Sequence, residues 1–114
     1  MILSGIMLAY PKLFPWAEES SAVSLLHIWA GFFFLVIFPL YSWDHIGGHA
    51  KRLRKISLVA SSGILQLLSG IGLIATGIPL MLYETDILNL PREIHLGLTF
   101  VLAGVLIIHK FSRK

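Results

Sequence analysis

Two histidines lie near opposite ends of one apolar segment, "IHLGLTFVLAGVLIIHK", residues 94–110. His95 and His109 are 14 residues apart. In an α-helix this spacing leaves the two side chains about 40° from alignment and about 21 Å apart along the axis, so they would share a face. An imidazole in hydrocarbon is costly unless it is hydrogen-bonded or bound to a metal. Both histidines are therefore candidate functional residues.

The spacing fits a helix that holds two b-type haems stacked across a membrane. Each iron would then receive a second axial histidine from a neighbouring helix. A competing interpretation has no cofactor. In that case the histidines inside the membrane are polar groups hydrogen-bonded to other helices, and His109 lies in the membrane interface beside Lys110.

The composition is typical of an integral membrane protein. The 114 residues have a mean hydropathy of +0.82, are 56% hydrophobic and only 13% charged, against about 25% charged residues in soluble domains. Each membrane span takes about 20 residues. The apolar runs therefore predict an all-α bundle forming a single domain, 1–114, with three transmembrane helices at about 22–43, 57–83 and 94–111.

The first ten residues, "MILSGIMLAY", are apolar but about half as long as a span. Pro11 and Pro15 prevent the helix from continuing. We expect a short N-terminal half-helix, which either rests in the interface or is the second half of a spanning helix whose beginning is missing. The segment lacks the features of a signal peptide and is expected to belong to the mature protein.

Charged residues predict the orientation. One end of the bundle has the basic residues Lys51, Arg52, Arg54, Lys55, Lys110, Arg113 and Lys114. The other end has Glu18, Glu19, Glu84, Asp86 and Glu93 against only Lys12 and Arg92. By the positive-inside rule, the 44–55 loop and the C-terminus are cytoplasmic, whereas the connections 11–21 and 84–93 face outward.

This orientation sorts the histidines by depth. His27 and His95 lie near the outer ends of the first and third spans, so His27 is the predicted partner of His95. The other three, His45, His49 and His109, lie at or beyond the inner ends.

His45 follows His27 by 18 residues, or five whole turns, and would share its face if the first span stayed helical through Pro39. Asp44 and the pair Gly47 and Gly48 instead predict that this helix ends near residue 44.

Cysteine is absent, so any metal must be held by histidine, carboxylate or methionine. Glycines could provide room for a porphyrin between helices, although ordinary helix packing through small residues produces the same pattern. The glycines concerned are Gly31, one turn beyond His27, Gly63, Gly70 and Gly77 on the second span, and Gly97 and Gly104 on the third.

A few polar residues have possible roles at such sites. Arg92 could pair with a haem propionate on the outer side. Gln66 is a weaker candidate for contact with a quinone. Ser69 and Thr76 are expected to bond to their own helix backbone.

The segments "LSGIMLAYP", "LLHIWAGFFFLVIFPLYSW", "LLSGIGLIATGIPL" and "IHLGLTFVLAGVLIIHKF" occur in that order. In sequence and order they resemble the cytochrome b (gamma) subunit of membrane-bound formate dehydrogenases and the related cytochrome b subunits of nickel–iron hydrogenases. The resemblance covers most of the chain, but its motifs are short.

The resemblance implies four helices and two haems b. His27 and His95 would ligate the haem nearer the periplasm, and His109 the haem nearer the cytoplasm. Electrons would pass from a periplasmic iron–sulfur partner to a quinone near the inner haem.

This chain departs from the family at its N-terminus, where the half-helix that carries the second ligand of the inner haem is missing. That ligand could come from another polypeptide or an N-terminal extension. His45 or His49 could replace it, or the inner haem could be absent. A supplied ligand or His45 is slightly favoured.

We therefore expect a non-catalytic electron-transfer subunit of an oxidoreductase complex in a bacterial or archaeal inner membrane. One haem b is expected, and a second is possible. Predicted partners are other membrane subunits, an iron–sulfur or multihaem redox subunit and quinone, with no nucleic acid. The alternatives are a single-haem anchor of the succinate dehydrogenase type and a haem-free structural subunit.

Overall fold

The structure is a computed structural model that describes residues 1–53, 57–83 and 88–112, apart from the side chains of Glu18, Arg52 and Leu53. Their regular secondary structure is entirely α-helical, with no strand among the described residues. The helices are α1 (Ile2–Ala9), α2 (Pro15–Glu19), α3 (Ser21–Leu53), α4 (Leu58–Leu82) and α5 (Asn89–Ser112). The all-α prediction is confirmed.

Three of these helices are long and apolar enough to cross a membrane: Ser21–Lys51, Leu58–Leu82 and Asn89–Ser112. The chain is therefore a multi-pass membrane protein, as predicted. The short N-terminal half-helix is also present, as α1. The sequence did not predict α2, which has Pro15 at its first position, where proline is compatible with a helix because its missing N–H needs no partner there.

The prediction that the first span ends near residue 43 is wrong. Helix α3 continues through Pro39 and the two glycines to Leu53, so residues 44–53 of the predicted 44–55 loop are helical. Among the described residues no glycine has a positive φ, so Gly47 and Gly48 take helical dihedrals and do not form a C-cap. His45 and His49 consequently lie on the same helix as His27.

Part of the charge pattern that predicts orientation lies outside the described residues. This applies to Arg54, Lys55, Glu84, Asp86, Arg113 and Lys114, and to the side chains of Glu18 and Arg52.

Helices α4 and α5 pack as a close antiparallel pair, and α3 contacts α4 much less extensively. The buried residues of the pair are mostly small or polar on α4, where they include Ser62, Ser69 and Gly70. Leu102 and Val105 are buried on α5. Small residues let two helices approach closely, which is the usual basis of helix association in lipid.

The apolar side chains of α3 are largely exposed in the isolated chain. Phe33, Val36, Ile37 and Leu40 are each 58% to 68% exposed. Lipid tails are as apolar as these side chains, so a membrane helix can present them to the bilayer without the penalty that water would impose.

Phe38 reaches from α3 into the surface of α4 at Gly70. A Cβ atom at Gly70 would collide with the Phe38 ring, which in turn stacks on Phe34 with ring centroids 4.8 Å apart. Gly70 therefore provides the close approach between these helices.

We predict that Gly70→Ala lowers the free energy of unfolding by about 1–3 kcal/mol, because the stacked Phe38 ring must move away from α4. Gly97→Ala is the control, since a Cβ there meets no described atom within 4 Å. Reversible unfolding in mixed detergent micelles measures the difference. Equal effects of the two substitutions would contradict this account of the α3–α4 contact.

Candidate functional site

Helices α3 and α5 bring His27 and His95 together. Their ring centroids are 6.4 Å apart and the ring planes are 76° to each other. Both side chains are only partly exposed. The sequence predicted this pair from matching depth alone, and the structure places the two rings side by side. We call it the 27/95 pair.

Hydroxyl groups hold the δ nitrogens of both rings. The Nδ1 atom of His27 lies 3.1 Å from the Ser4 hydroxyl and 3.2 Å from the Met1 carbonyl oxygen, both from α1 and its start. The Nδ1 atom of His95 lies 2.8 Å from the hydroxyl of Thr76 on α4. Four segments of the chain thus meet at the 27/95 pair.

A second pair lies at the other end of α5. The rings of His45 and His109 have centroids 6.4 Å apart with planes 70° to each other. The Nδ1 atom of His109 lies 2.9 Å from the hydroxyl of Ser62 on α4. This 45/109 pair exists because α3 remains helical beyond residue 43.

His49 is the last residue, in chain order, of an aromatic column on α3. Tyr41 and His45 stack with centroids 5.4 Å apart, and His45 and His49 stack at 4.7 Å. The three residues are four apart in sequence and so occupy successive turns of one helix face. The Nδ1 atom of His49 faces the His45 carbonyl oxygen at 3.1 Å. His45 is thus the member of this column that reaches His109.

The ring separation in both pairs lies within the range of about 4.5–7 Å for ordinary edge-to-face contacts, and it is also close to that of two imidazoles bound to one metal ion. Two imidazoles on opposite sides of a metal, each with a metal–nitrogen bond of about 2.0 Å, have ring centroids about 6.3 Å apart. Both observed values are 6.4 Å. The described residues contain no group of three or more histidine, cysteine or carboxylate ligands.

Three glycines lie against the imidazoles, and two of them, Gly5 and Gly77, leave too little space for a Cβ unless the ring moves. A Cβ at Gly5 would lie 2.9 Å from Cε1 of His27, at Gly77 3.3 Å from Cε1 of His95, and at Gly63 3.8 Å from Cε1 of His109. The glycines are therefore matched to the rings one by one. At Gly31, Gly97 and Gly104 a Cβ would meet no described atom within 4 Å.

The other polar candidates have protein partners. Arg92 is exposed and donates a hydrogen bond to the Ala9 carbonyl at 3.3 Å, at the end of α1. Gln66 donates to the Val105 carbonyl at 3.4 Å, which ties α4 to α5. These contacts do not test whether Arg92 pairs with a haem propionate or whether Gln66 contacts a quinone.

The prediction that Ser69 and Thr76 bond to their own helix backbone is right for one of the two residues. Thr76 donates to the Gly72 carbonyl of its own helix at 2.7 Å, as predicted. Ser69 is 1% exposed and its hydroxyl has no hydrogen-bond partner among the described residues, so that prediction is wrong.

Sequence reasoning missed the hydroxyl groups that hold the imidazoles. A signal was present, because a hydroxyl residue directly precedes glycine at 62–63, 69–70 and 76–77 on α4, at intervals of seven, and again at 4–5 on α1. The glycines were noticed as a stripe, but the preceding hydroxyls were not connected to the histidines.

No family model, curated protein or solved structure matches this chain.

Two serines of α4 provide a test of the hydrogen bonding around the pairs. Ser69→Ala is expected to raise the free energy of unfolding by about 1 kcal/mol, because a buried hydroxyl without a partner carries a desolvation cost. Ser62→Ala is expected to lower it by a similar amount, since it removes the partner of His109 Nδ1. Unfolding in mixed micelles measures both. The same sign for the two variants would contradict the assignment of partners.

Proposed function

We propose that this chain is a membrane cytochrome b subunit that binds two haem b groups and transfers electrons across the membrane. The observation that carries the proposal is the repetition of one arrangement. Two histidine pairs with the same 6.4 Å ring separation lie at opposite ends of α5. In each pair a histidine of α3 meets a histidine of α5 at the same depth, which is the placement that two ligands of one iron would need.

His27 and His95 are the proposed axial ligands of one haem, and His45 and His109 those of the other. The continuous course of α3 favours His45 over His49, because His45 reaches the His109 ring while His49 stacks behind it. When bound, each haem iron supplies a one-electron redox couple. His27, His95, His45 and His109 would hold the two haems, and the residues around them orient the four imidazoles.

The sites suit a large planar cofactor in further respects. The residues that face the imidazole rings, Gly5, Gly63 and Gly77, have no side chain. At Gly31, one turn from His27, the space is open. Helix α3 packs loosely on α4, so the side of the bundle that carries His27 and His45 is not closed. Phe38 fills the space between the two levels, against Gly70.

The two sites are separated by a distance that suits transfer through a bilayer. His95 and His109 are 14 residues apart on α5, or about 21 Å along the axis, against a hydrocarbon core of about 30 Å. The excess of basic residues beyond Ala50 and Ile108 supports a cytoplasmic 45/109 site by the positive-inside rule. The 27/95 site would then face outward, as the resemblance to formate dehydrogenase cytochrome b implies.

The proposed setting is a respiratory complex in a bacterial or archaeal inner membrane. An iron–sulfur or multihaem subunit would exchange electrons at the outer site, and quinone at the inner one. The exposed apolar surface of α3 is available to lipid and to other membrane subunits alike.

The first test is spectroscopic. A reduced-minus-oxidised spectrum of the purified chain should show low-spin b-type bands, and a pyridine haemochrome assay should give about two haems per chain, since each iron needs two axial histidines. One haem per chain would favour a single-haem anchor of the succinate dehydrogenase type. Absence of haem from a folded preparation would leave the haem-free structural subunit as the surviving alternative.

The second test assigns the ligands. His27→Ala and His95→Ala should each remove the same haem, and His45→Ala and His109→Ala should each remove the other, because an iron that loses an axial imidazole is no longer held at both faces. Haem stoichiometry and redox titration measure the losses.

His49→Ala is the matched control, one helix turn beyond His45, and should retain both haems. If His49→Ala loses a haem and His45→Ala keeps both, the assignment of the inner ligand is wrong.

A further inference from the structure

We propose that three hydroxyl–glycine dipeptides, residues 4–5, 62–63 and 76–77, are positioning elements for the histidines. The hydroxyl fixes which ring nitrogen carries the proton, and the glycine admits the ring. The inference rests on the proposed function in one respect, namely that the nitrogen left unprotonated is the one offered to a haem iron.

The contacts of His27 determine the position of its proton. Its Nδ1 atom lies 3.2 Å from the carbonyl oxygen of Met1, which can only accept a hydrogen bond. The Ser4 hydroxyl lies beside the same nitrogen and donates its own proton to the same carbonyl at 3.0 Å. Nδ1 must therefore be the donor, and in the neutral ring Nε2 has the lone pair.

His109 and His95 have equivalent arrangements on α4. The Ser62 hydroxyl donates to the Val59 carbonyl at 3.0 Å, and the Thr76 hydroxyl donates to the Gly72 carbonyl at 2.7 Å. A hydroxyl has one proton, so one that is donated to the helix backbone leaves only lone pairs for the nearby imidazole. The neighbouring Nδ1 atoms, at 2.9 and 2.8 Å, then donate to these hydroxyls.

The glycine that follows each hydroxyl lies against the same imidazole, and the space is tight at Gly5 and Gly77, whereas a Cβ at Gly63 would make an ordinary contact with the ring. The hydroxyl contacts Nδ1 of a ring, and the next residue faces Cε1 of that same ring in all three cases. At Gly5 a Cβ would come within 2.9 Å of Cε1, closer than real Cβ contacts occur. A side chain there would push the imidazole away from the hydroxyl that orients it.

A fourth dipeptide, Ser69 and Gly70, supplies an internal comparison. It lies seven residues from the other two on α4, and Leu102 occupies the corresponding place on α5, midway between His95 and His109. With no imidazole at this level, the Ser69 hydroxyl has no partner among the described residues and Phe38 occupies the glycine surface. Of the four dipeptides, the three whose hydroxyl lies against an imidazole are those that have a histidine at the same level.

The choice of a hydroxyl has an electronic consequence for a bound haem. A carboxylate acceptor at Nδ1 would increase the basicity of the ligand strongly, whereas a neutral hydroxyl orients the ring with a smaller effect. The hydrogen bond at Nδ1 is thus a means of setting the reduction potential of each haem separately.

The first experiment reads the proton position directly, without haem. The full chain, with ¹⁵N-labelled histidine, is purified haem-free in detergent and studied by long-range ¹H–¹⁵N NMR at alkaline pH, where imidazole is neutral. His27, His95 and His109 should be Nδ1–H tautomers. Ser62→Ala should shift His109 toward the Nε2–H form and leave His27 and His95 unchanged. Nε2–H tautomers for these three rings in the unsubstituted chain would overturn the proposal.

The second experiment measures the two haem potentials by spectroelectrochemical titration. Ser62→Ala should shift only the 45/109 haem and Thr76→Ala only the 27/95 haem, whereas Ser62→Thr should restore the unsubstituted value. Ser69→Ala is the matched control and should shift neither. Ser4→Ala should have a smaller effect than Thr76→Ala, because the Met1 carbonyl still accepts from His27.

The failure of this inference is distinguishable from failure of the proposed function. If the folded chain binds no haem but its histidines show the expected tautomers, the proposed function is wrong and the positioning role of the dipeptides stands. If haem binds and both potentials are unchanged by Ser62→Ala and Thr76→Ala, the function stands and the positioning role is refuted.

Discussion

The arrangement of this protein depends on one constraint: a polar group inside a bilayer has no water to bond with and must find its partner within the protein. His27, His95 and His109, on α3 and α5, meet this requirement through other helices. Ser62 and Thr76 on α4 hold His109 and His95 on α5, and Ser4 holds His27. These bonds join α4 to α5 and α1 to α3.

The same bonds make the proposed chemistry compatible with the fold. A hydrogen bond that satisfies Nδ1 leaves Nε2 to act as a ligand, so one interaction provides both stability in lipid and a ligand oriented in advance. The two pairs have equal ring separations although their histidines come from different turns and depths. This recurrence supports the proposal of two cofactor sites.

Much of the fold could be predicted from the sequence because its causes are local. Span length and composition gave three transmembrane helices and the N-terminal half-helix. The error at α3 has a physical cause, since Gly47 and Gly48 permit both a helix and its C-cap, and only their surroundings select one. The pairing of His27 with His95 could be predicted from their matching depths, because the depth of a residue follows from its position within a span. His45 remained one of several candidates for the second ligand of the inner haem. Its position depended on whether the helix ended or continued near Gly47 and Gly48.

By itself the sequence determined the membrane class, the number of spans and the shared helix face of His95 and His109, since hydropathy and helical periodicity are properties of a single segment. Only the tertiary structure decided which groups hold the imidazoles, that His45 reaches His109, and that Ser69 lacks a partner among the described residues. These facts depend on contacts between different helices. The rotation and register of one helix against another are set by the packing of whole surfaces, such as Phe38 against Gly70.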